Sequence, residues 1–195
     1  FPGMGGFGGM NINQLMKEFK PLLLFLARFL GTYIILSLVY KLYLDQYLPH
    51  NNPDPFTKLT SDVTAFGLEK FGFTSFSNIA ENHPWMRLVL DGQVASIVNE
   101  GCNAISILII FVSFIVAFYT NFKQTLLFIL SGLAILFVMN ISRIMLLNYI
   151  FRYHNEYGKM AHDYLFPAII YGSIVILWIV WIKFFVTKYN KQNAK

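Results

Sequence analysis

Four stretches of mostly apolar residues dominate the chain, and each approaches the roughly 20 residues that a helix needs to cross a hydrocarbon core of about 30 Å. They cover about 21–44, 103–119, 124–149 and 164–186. The chain is 56% apolar and only 13% charged, which is too apolar for a soluble domain of this length. The sequence therefore predicts an all-α membrane protein with a bundle of about four transmembrane helices.

Basic residues concentrate beside the apolar stretches rather than in polar sequence. The formal net charge of +5 is therefore no sign of a nucleic-acid surface, and no nucleic-acid partner is expected. With four spans, both termini lie on one side of the membrane, and that side carries a single acid, Glu18. The same side carries Lys17, Lys20, Lys123, Lys183, Lys188, Lys191 and Lys195. The positive-inside rule then predicts cytoplasmic termini in the cytoplasmic (inner) membrane.

Three regions follow from this topology. Residues 1–20 are expected to form a flexible cytoplasmic N-terminus, 21–186 an integral membrane domain, and 187–195 a basic cytoplasmic tail. The connections 45–102 and 150–163 face outward in this arrangement.

The connection 45–102 is expected to have structure of its own. Phe56, Leu59, Val63 and Phe66 recur at steps of three and four, which predicts an amphipathic helix. That helix either lies at the outer membrane interface or forms a lid on the bundle. Further on, two β-prone runs flank Asp91-Gly92, a strong signal for a short β-hairpin. The hairpin either covers the bundle or offers a free edge to an extended peptide.

Three reactive side chains are predicted to meet at the outer end of the bundle. Cys102, the single cysteine, precedes the second span, where a helix N-terminus would favour the thiolate. Arg143 lies about 28 Å along the third span at 1.5 Å per residue, and a charge inside an apolar run usually has a functional or pairing reason. His162 directly precedes the fourth span and could act as a general base and acid.

Blander interpretations stay open for each residue. A lone cysteine is ordinarily inert packing, and Arg143 could extend to the outer headgroups. His162 could be an ordinary interfacial residue, with His154 as a rival base. Asn140 lies three residues before Arg143 on the same helix face, where it could orient the arginine or donate to an oxyanion.

A family resemblance accompanies these motifs. Glu100-Gly-Cys-Asn-Ala104 before a span, Asn140-Ile-Ser-Arg143 inside one and Ala161-His-Asp163 before the last resemble the exosortase/archaeosortase family, closest to the exosortase F type of Bacteroidetes. The resemblance covers roughly residues 20–186. It implies that Cys102, Arg143 and His162 are the catalytic residues of a membrane cysteine transpeptidase or protease, with Glu100, Asn103 and Asn140 in support.

The resemblance also implies the substrates and partners. The clients would be exported proteins with a C-terminal, membrane-anchored sorting signal, processed through a thioester at the outer face of the membrane. Membrane lipid and a lipid or cell-surface acceptor would be further partners. Much of the family has Ser or Thr and then Gly after the cysteine, whereas this chain has Asn103 and Ala104. At this stage Ala104 suggests that no glycine-like backbone freedom is needed there.

Two other function classes remain possible. A non-enzymatic membrane scaffold would not need the thiol, and a small transporter would place polar residues along the whole depth of the bundle. No metal or organic cofactor is expected, because none of the four histidines shares a helix face with another at ligand spacing.

Overall fold

The computed structural model describes residues 12–193, with side chains from 19 to 192. Its helices are α1 (Ile12–Leu44), α2 (Pro55–Lys70), α3 (Ile105–Ala117), α4 (Phe122–Tyr153), α5 (Asn155–Met160), α6 (Phe166–Val180) and α7 (Thr187–Asn193). The last three join through π-helical turns at Ala161–Leu165 and Trp181–Val186 into one continuous helical rod.

Three helical segments are long and apolar enough to cross a membrane: Phe19–His50, Phe122–Tyr153 and Asn155–Gln192. They confirm the prediction of an all-α membrane protein. The second predicted span, 103–119, is shorter than expected, because α3 has 13 residues and is therefore about 20 Å long at 1.5 Å per residue. A left-handed backbone at Ala104 delays its start, and non-helical residues end it before Asn121.

The predicted terminal segments differ in part from the structure. Residues 1–11 and 194–195 lie outside the described residues, but 12–20 already belong to α1 and 187–193 form α7. The regular structure therefore begins well before the first apolar residue of the predicted span.

The connection 45–102 contains an antiparallel sheet of three strands, β1 (Ser75–Ile79), β2 (Met86–Leu90) and β3 (Gln93–Val98), in that spatial order. Asp91 and Gly92 join β2 to β3 with φ of 47° and 76°, the positive values that a two-residue hairpin turn requires. The predicted hairpin is confirmed. The sequence did not predict β1, whose side chains include two serines, and Ser77 donates to Asp62 of α2.

Helix α2 is present as predicted, but its polar face is the buried one. Asp54 caps it by accepting from the main-chain N–H groups of Phe56 and Thr57 at 3.0 and 3.1 Å. The buried residues are Thr57, Thr60, Ser61, Thr64, Ala65 and Leu68. Leu59 and Phe66, from the predicted apolar stripe, are about half exposed. Such a helix fits polar groups facing protein and apolar groups facing lipid, consistent with a position at the membrane interface.

The described chain has three buried apolar clusters, and the two larger ones lie toward opposite ends of the bundle. One is formed by α3, α4 and the last helical rod, around Phe111, Ile115, Leu136, Ile174 and Trp181. The other lies between α2, the sheet and α4, around Ala65, Met86, Leu88, Val98 and Ile144. Cys102 packs against the second core, which fixes the end of the molecule where the candidate site lies.

Helices α3 and α4 approach closely at Gly132. A Cβ added there would overlap the ring of Phe111, which is fully buried. Small residues permit such close helix packing in membranes.

We expect Gly132→Ala to lower the free energy of unfolding by about 1–3 kcal/mol, since the buried ring has to move aside. Thermal unfolding of the purified protein in detergent measures the change. Gly172→Ala in α6 is the matched control, because a Cβ added at Gly172 would have no atom of another element within 4 Å. Equal melting temperatures for the two variants would contradict the packing argument.

Candidate active site

A turn from Asn99 to Ala104 presents the cysteine. The side-chain oxygen of Asn99 accepts from the N–H of Gly101 at 3.0 Å, and the main-chain carbonyl oxygen of Asn99 accepts from the N–H of Cys102 at 2.9 Å. From α4, Asn140 Nδ2 donates to the carbonyl oxygen of Cys102 at 2.9 Å. The main chain of Cys102 is therefore held on both sides, while its side chain is partly exposed.

The prediction that Cys102 opens a helix is wrong. Helix α3 begins at Ile105, and Ala104 precedes it with φ of 67°. The cysteine therefore lies outside the first helical turn, where the field of the helix dipole is strongest. The expectation that Ala104 needs no glycine-like freedom is also wrong, because a left-handed backbone costs a residue with a Cβ roughly 1–2 kcal/mol.

Asn103 faces away from the thiol. Its fully buried side chain donates to Tyr40 Oη at 3.1 Å and to Thr57 Oγ1 at 3.0 Å, and accepts from the N–H of Ile105 at 3.0 Å. Thr57 in turn donates to the buried carboxylate of Asp54. Asn103 thus ties the turn to α1 and α2, and the support that it gives to the site is indirect.

Arg143 lies on α4, one helical turn after Asn140. Its side chain is partly buried, and its Nε atom is buried without a hydrogen-bond partner in the part of the chain that the structure describes. Because Asn140 donates to the Cys102 carbonyl, it orients the cysteine rather than the arginine. A buried guanidinium N–H without a partner is costly, and the Arg143 side chain also borders the cavity described below.

His162 lies in the π-helical turn that precedes α6. Its Nδ1 is 2.9 Å from Asp163 Oδ1, and both side chains are partly exposed, at 58% and 41%. When the Nδ1–H group donates a hydrogen bond to this carboxylate, Nε2 carries no proton and is the basic nitrogen of the ring. No role was predicted for Asp163 from the sequence. Because it directly follows His162, its position was the one sequence feature that indicated a partner for the predicted base.

The three predicted catalytic residues line one cavity of about 400 Å³. They reach it from three separate elements, namely the turn before α3, the C-terminal half of α4 and the turn before α6. The remaining lining residues are Val94, Ala95, Ser96, Ile97, Val98, Ile144, Leu147 and Phe151. A thiol, a guanidinium and an imidazole thus face a common, mostly apolar space.

The other predicted residues lie elsewhere. Glu100 is partly exposed in the turn and does not line the cavity. His154, the rival base, ends α4, and its ring is 5.8 Å from that of Tyr149. Neither residue faces the thiol through the cavity.

A partly exposed thiol with a neighbouring imidazole and guanidinium has the parts needed for nucleophilic acyl transfer. The thiol supplies the nucleophile, the imidazole can move a proton, and the guanidinium can stabilise negative charge on sulfur or oxygen. The described residues contain no cluster of three or more His, Cys, Asp or Glu side chains suited to a metal ion.

Fold and site together describe an integral membrane protein with a cysteine-containing cavity at one end of a helical bundle. The family model of the transmembrane exosortases matches residues 21–185. The chain therefore belongs to the transmembrane exosortase family, whose members are membrane-embedded transpeptidases of protein sorting. No curated protein and no solved structure matches the chain.

Replacing Ala104 by glycine tests the left-handed backbone directly. We expect Ala104→Gly to raise the free energy of unfolding by up to about 1 kcal/mol, because the steric cost at φ of 67° exceeds the entropy that glycine loses on folding. Thermal unfolding in detergent measures it. The control is Ala134→Gly, an exposed position in the interior of α4, which should destabilise by about 1 kcal/mol. A destabilised Ala104→Gly variant would contradict the analysis.

Proposed function

We propose that this protein cleaves exported client proteins near a C-terminal, membrane-anchored sorting signal and transfers the new carboxyl end to an acceptor. The observation that carries the proposal is the shared cavity of Cys102, Arg143 and His162. Family membership supports the general class of reaction. The shared cavity supports Cys102 as the nucleophile and His162 as the base.

The reaction runs in two halves. In the first, the sulfur of Cys102 attacks a main-chain carbonyl carbon of the client, and the tetrahedral intermediate collapses with loss of the amine on the anchor side. A thioester links the client to the enzyme at that point. In the second half, an acceptor amine releases the client as a new amide, or water releases it as a free acid. The acceptor is a lipid or a cell-surface molecule.

His162 moves the protons in this scheme. Its Nε2 takes the thiol proton before the attack and gives it to the departing amine, which leaves as a neutral molecule. Asp163 holds Nδ1 protonated, at 2.9 Å, and so keeps Nε2 free for that work. Both side chains are partly exposed, which leaves the imidazole accessible to a client entering the cavity.

Arg143 stabilises negative charge. Its side chain borders the cavity beside Cys102, so its positive charge would stabilise a thiolate or a tetrahedral oxyanion there. A donor of this kind contributes about 10²–10³-fold to the rate when it meets an oxyanion. Asn140 supports the site through its hydrogen bond to the Cys102 carbonyl.

The membrane placement follows from charge and helix length. We place both termini in the cytoplasm and the cavity at the exterior face of the cytoplasmic (inner) membrane, because lysines flank the opposite end of the bundle. Since α3 is about 10 Å shorter than a hydrocarbon core of about 30 Å, Cys102 lies within the outer leaflet. The client's membrane anchor then brings its cleavage site to that depth. Assignment to the exosortase F type stays a prediction.

Substitution of the three cavity residues tests the proposed function. We expect Cys102→Ala to abolish client processing, His162→Ala to reduce it about 10²–10⁴-fold, and Arg143→Ala to reduce it about 10²–10³-fold. Membranes of cells that produce each variant are compared by mass spectrometry for precursors that keep their C-terminal anchor. The variants have to be present in the membrane at the level of the parent protein.

His154→Ala is the matched control, because His154 lies on the same side of the bundle but outside the cavity. It should process clients normally. Normal processing by Cys102→Ala would leave a scaffold role as the better explanation. A requirement for His154 and none for His162 would overturn the assignment of the base.

Asp163 gives a separate test of how the imidazole is held. We expect Asp163→Asn to reduce the turnover number about tenfold with little change in KM. Replacing the buried aspartate of a Ser-His-Asp triad by asparagine lowers the turnover number about 10⁴-fold. Here the carboxylate is 41% exposed, so water can replace part of its effect. Asp163→Glu should recover part of the rate. Steady-state kinetics with purified precursor measure both parameters, and an unchanged turnover number would exclude the positioning role.

A further inference from the structure

Strand β3 has one edge without a partner strand. The sheet order is β1, β2, β3, so β2 pairs with one edge of β3 and no strand in the described chain pairs with the other. No side chain of the described residues bonds to the main chain of Val94–Val98 either. An unpaired strand edge presents N–H and C=O groups that readily bind another strand.

The alternation of hydrogen-bonded and non-hydrogen-bonded pairs in the sheet identifies which main-chain groups of β3 point to its free edge. Ala80 donates to the carbonyl of Trp85 at 3.0 Å, and Asp91 donates to the carbonyl of Thr74 at 2.8 Å. Because hydrogen-bonded and non-hydrogen-bonded pairs alternate in antiparallel strands, Arg87 and Val89 direct their main-chain groups to β1.

Their partners on β3 are Ile97 and Val94. The N–H and C=O groups of these two residues therefore point away from β2, toward the free edge. A bulge between them, opposite Leu88 and Val89, shifts the spacing of the free groups from two residues to three.

This edge lines the cavity of the candidate active site. All five residues from Val94 to Val98 form one wall, and Cys102, Arg143 and His162 lie on the same cavity. Val98 leads directly into the turn that carries the cysteine. A peptide paired to the edge would therefore have its main chain beside the thiol.

We propose that β3 binds the client by strand addition, with an extended segment of the client next to its cleavage site pairing with Val94 and Ile97. The inference rests on the function proposed above and names the conformation that the enzyme recognises. Main-chain hydrogen bonds supply binding that is independent of the client's side chains, and they position a carbonyl carbon beside Cys102. An enzyme that processes several clients at a short motif needs such a common element.

The rest of the cavity supports an extended peptide as occupant. Ile144, Leu147 and Phe151 form an apolar wall along α4, which suits an apolar client side chain. In a strand only alternate side chains point to that wall. We therefore expect the client to need an apolar residue at one position and to tolerate variation at its neighbours.

The test compares proline with threonine at Ile97. Proline removes the outward N–H and leaves the pairing of Ser96 and Val98 with β2 intact, whereas threonine keeps the N–H in a β-branched residue. The probe is the precursor that accumulates in Cys102→Ala membranes, purified and offered to each variant. We expect Ile97→Pro to raise KM about tenfold and Ile97→Thr to leave it within about twofold.

Ile79→Pro is the matched control at the opposite edge of the sheet. By the same alternation of pairs, the N–H of Ile79 on β1 points away from β2, but Ile79 does not line the cavity. Alkylation of Cys102 by iodoacetamide checks that the site of each variant is intact, because the chain has a single cysteine. An equal rise of KM in Ile79→Pro and Ile97→Pro, or no rise in either variant, would overturn strand addition.

A second measurement does not depend on folding of the variants. Peptides covering the precursor's cleavage site, each N-methylated at one main-chain nitrogen, compete with the precursor for the unaltered enzyme. Strand addition predicts that competition is lost for methylation at alternate residues, and an even effect along the peptide would overturn it. If no precursor accumulates in Cys102→Ala membranes, the proposed function fails, and strand addition fails with it.

Discussion

The turn from Asn99 to Ala104 joins a strand to an apolar helix, and its buried main-chain polar groups have to find hydrogen-bond partners within the protein. Asn99 and Asn140 bond to main-chain groups of the turn itself, while Asn103 accepts from the N–H of Ile105 and donates to side chains of α1 and α2. Each hydrogen bond contributes only about 1 kcal/mol, but leaving a buried group unpaired costs about 1–3 kcal/mol. The position of the cysteine is therefore set by amide side chains that never contact the sulfur.

The same constraint explains the inverted face of α2. Thr57 has to reach Asn103, and Ser61 and Thr64 donate back to main-chain carbonyls of their own helix at 2.9 and 2.7 Å. Once these hydroxyls are satisfied, the polar face packs against the protein and the larger apolar side chains remain outside, where lipid can cover them. Hydrophobic periodicity identified the helix correctly, and a helix at a membrane interface turns its apolar face to lipid and its polar face to the protein.

Sequence alone predicted what depends on length, composition and short turn signals. The spanning helices, the hairpin at Asp91-Gly92 and the membrane character of the chain are of that kind. It could not predict the start of α3, because the left-handed conformation of Ala104 is imposed by contacts of Asn103 with residues more than 40 positions away in the chain. Nor could it predict the partner of Asn140, since the choice between Arg143 and the Cys102 carbonyl depends on how closely the turn approaches α4.

Polar groups around Cys102 fall into two sets that the geometry separates. On the side of α1 and α2, the asparagine, threonine and aspartate side chains bond to one another, which makes that side structural. On the side of the cavity, the Nε of Arg143 and the free edge of β3 have no partner among the described residues. Unpaired groups at a membrane-embedded site are costly unless something completes them. A client main chain carries both carbonyl oxygens for those donors and amide hydrogens for the strand's acceptors, so one extended peptide can satisfy both.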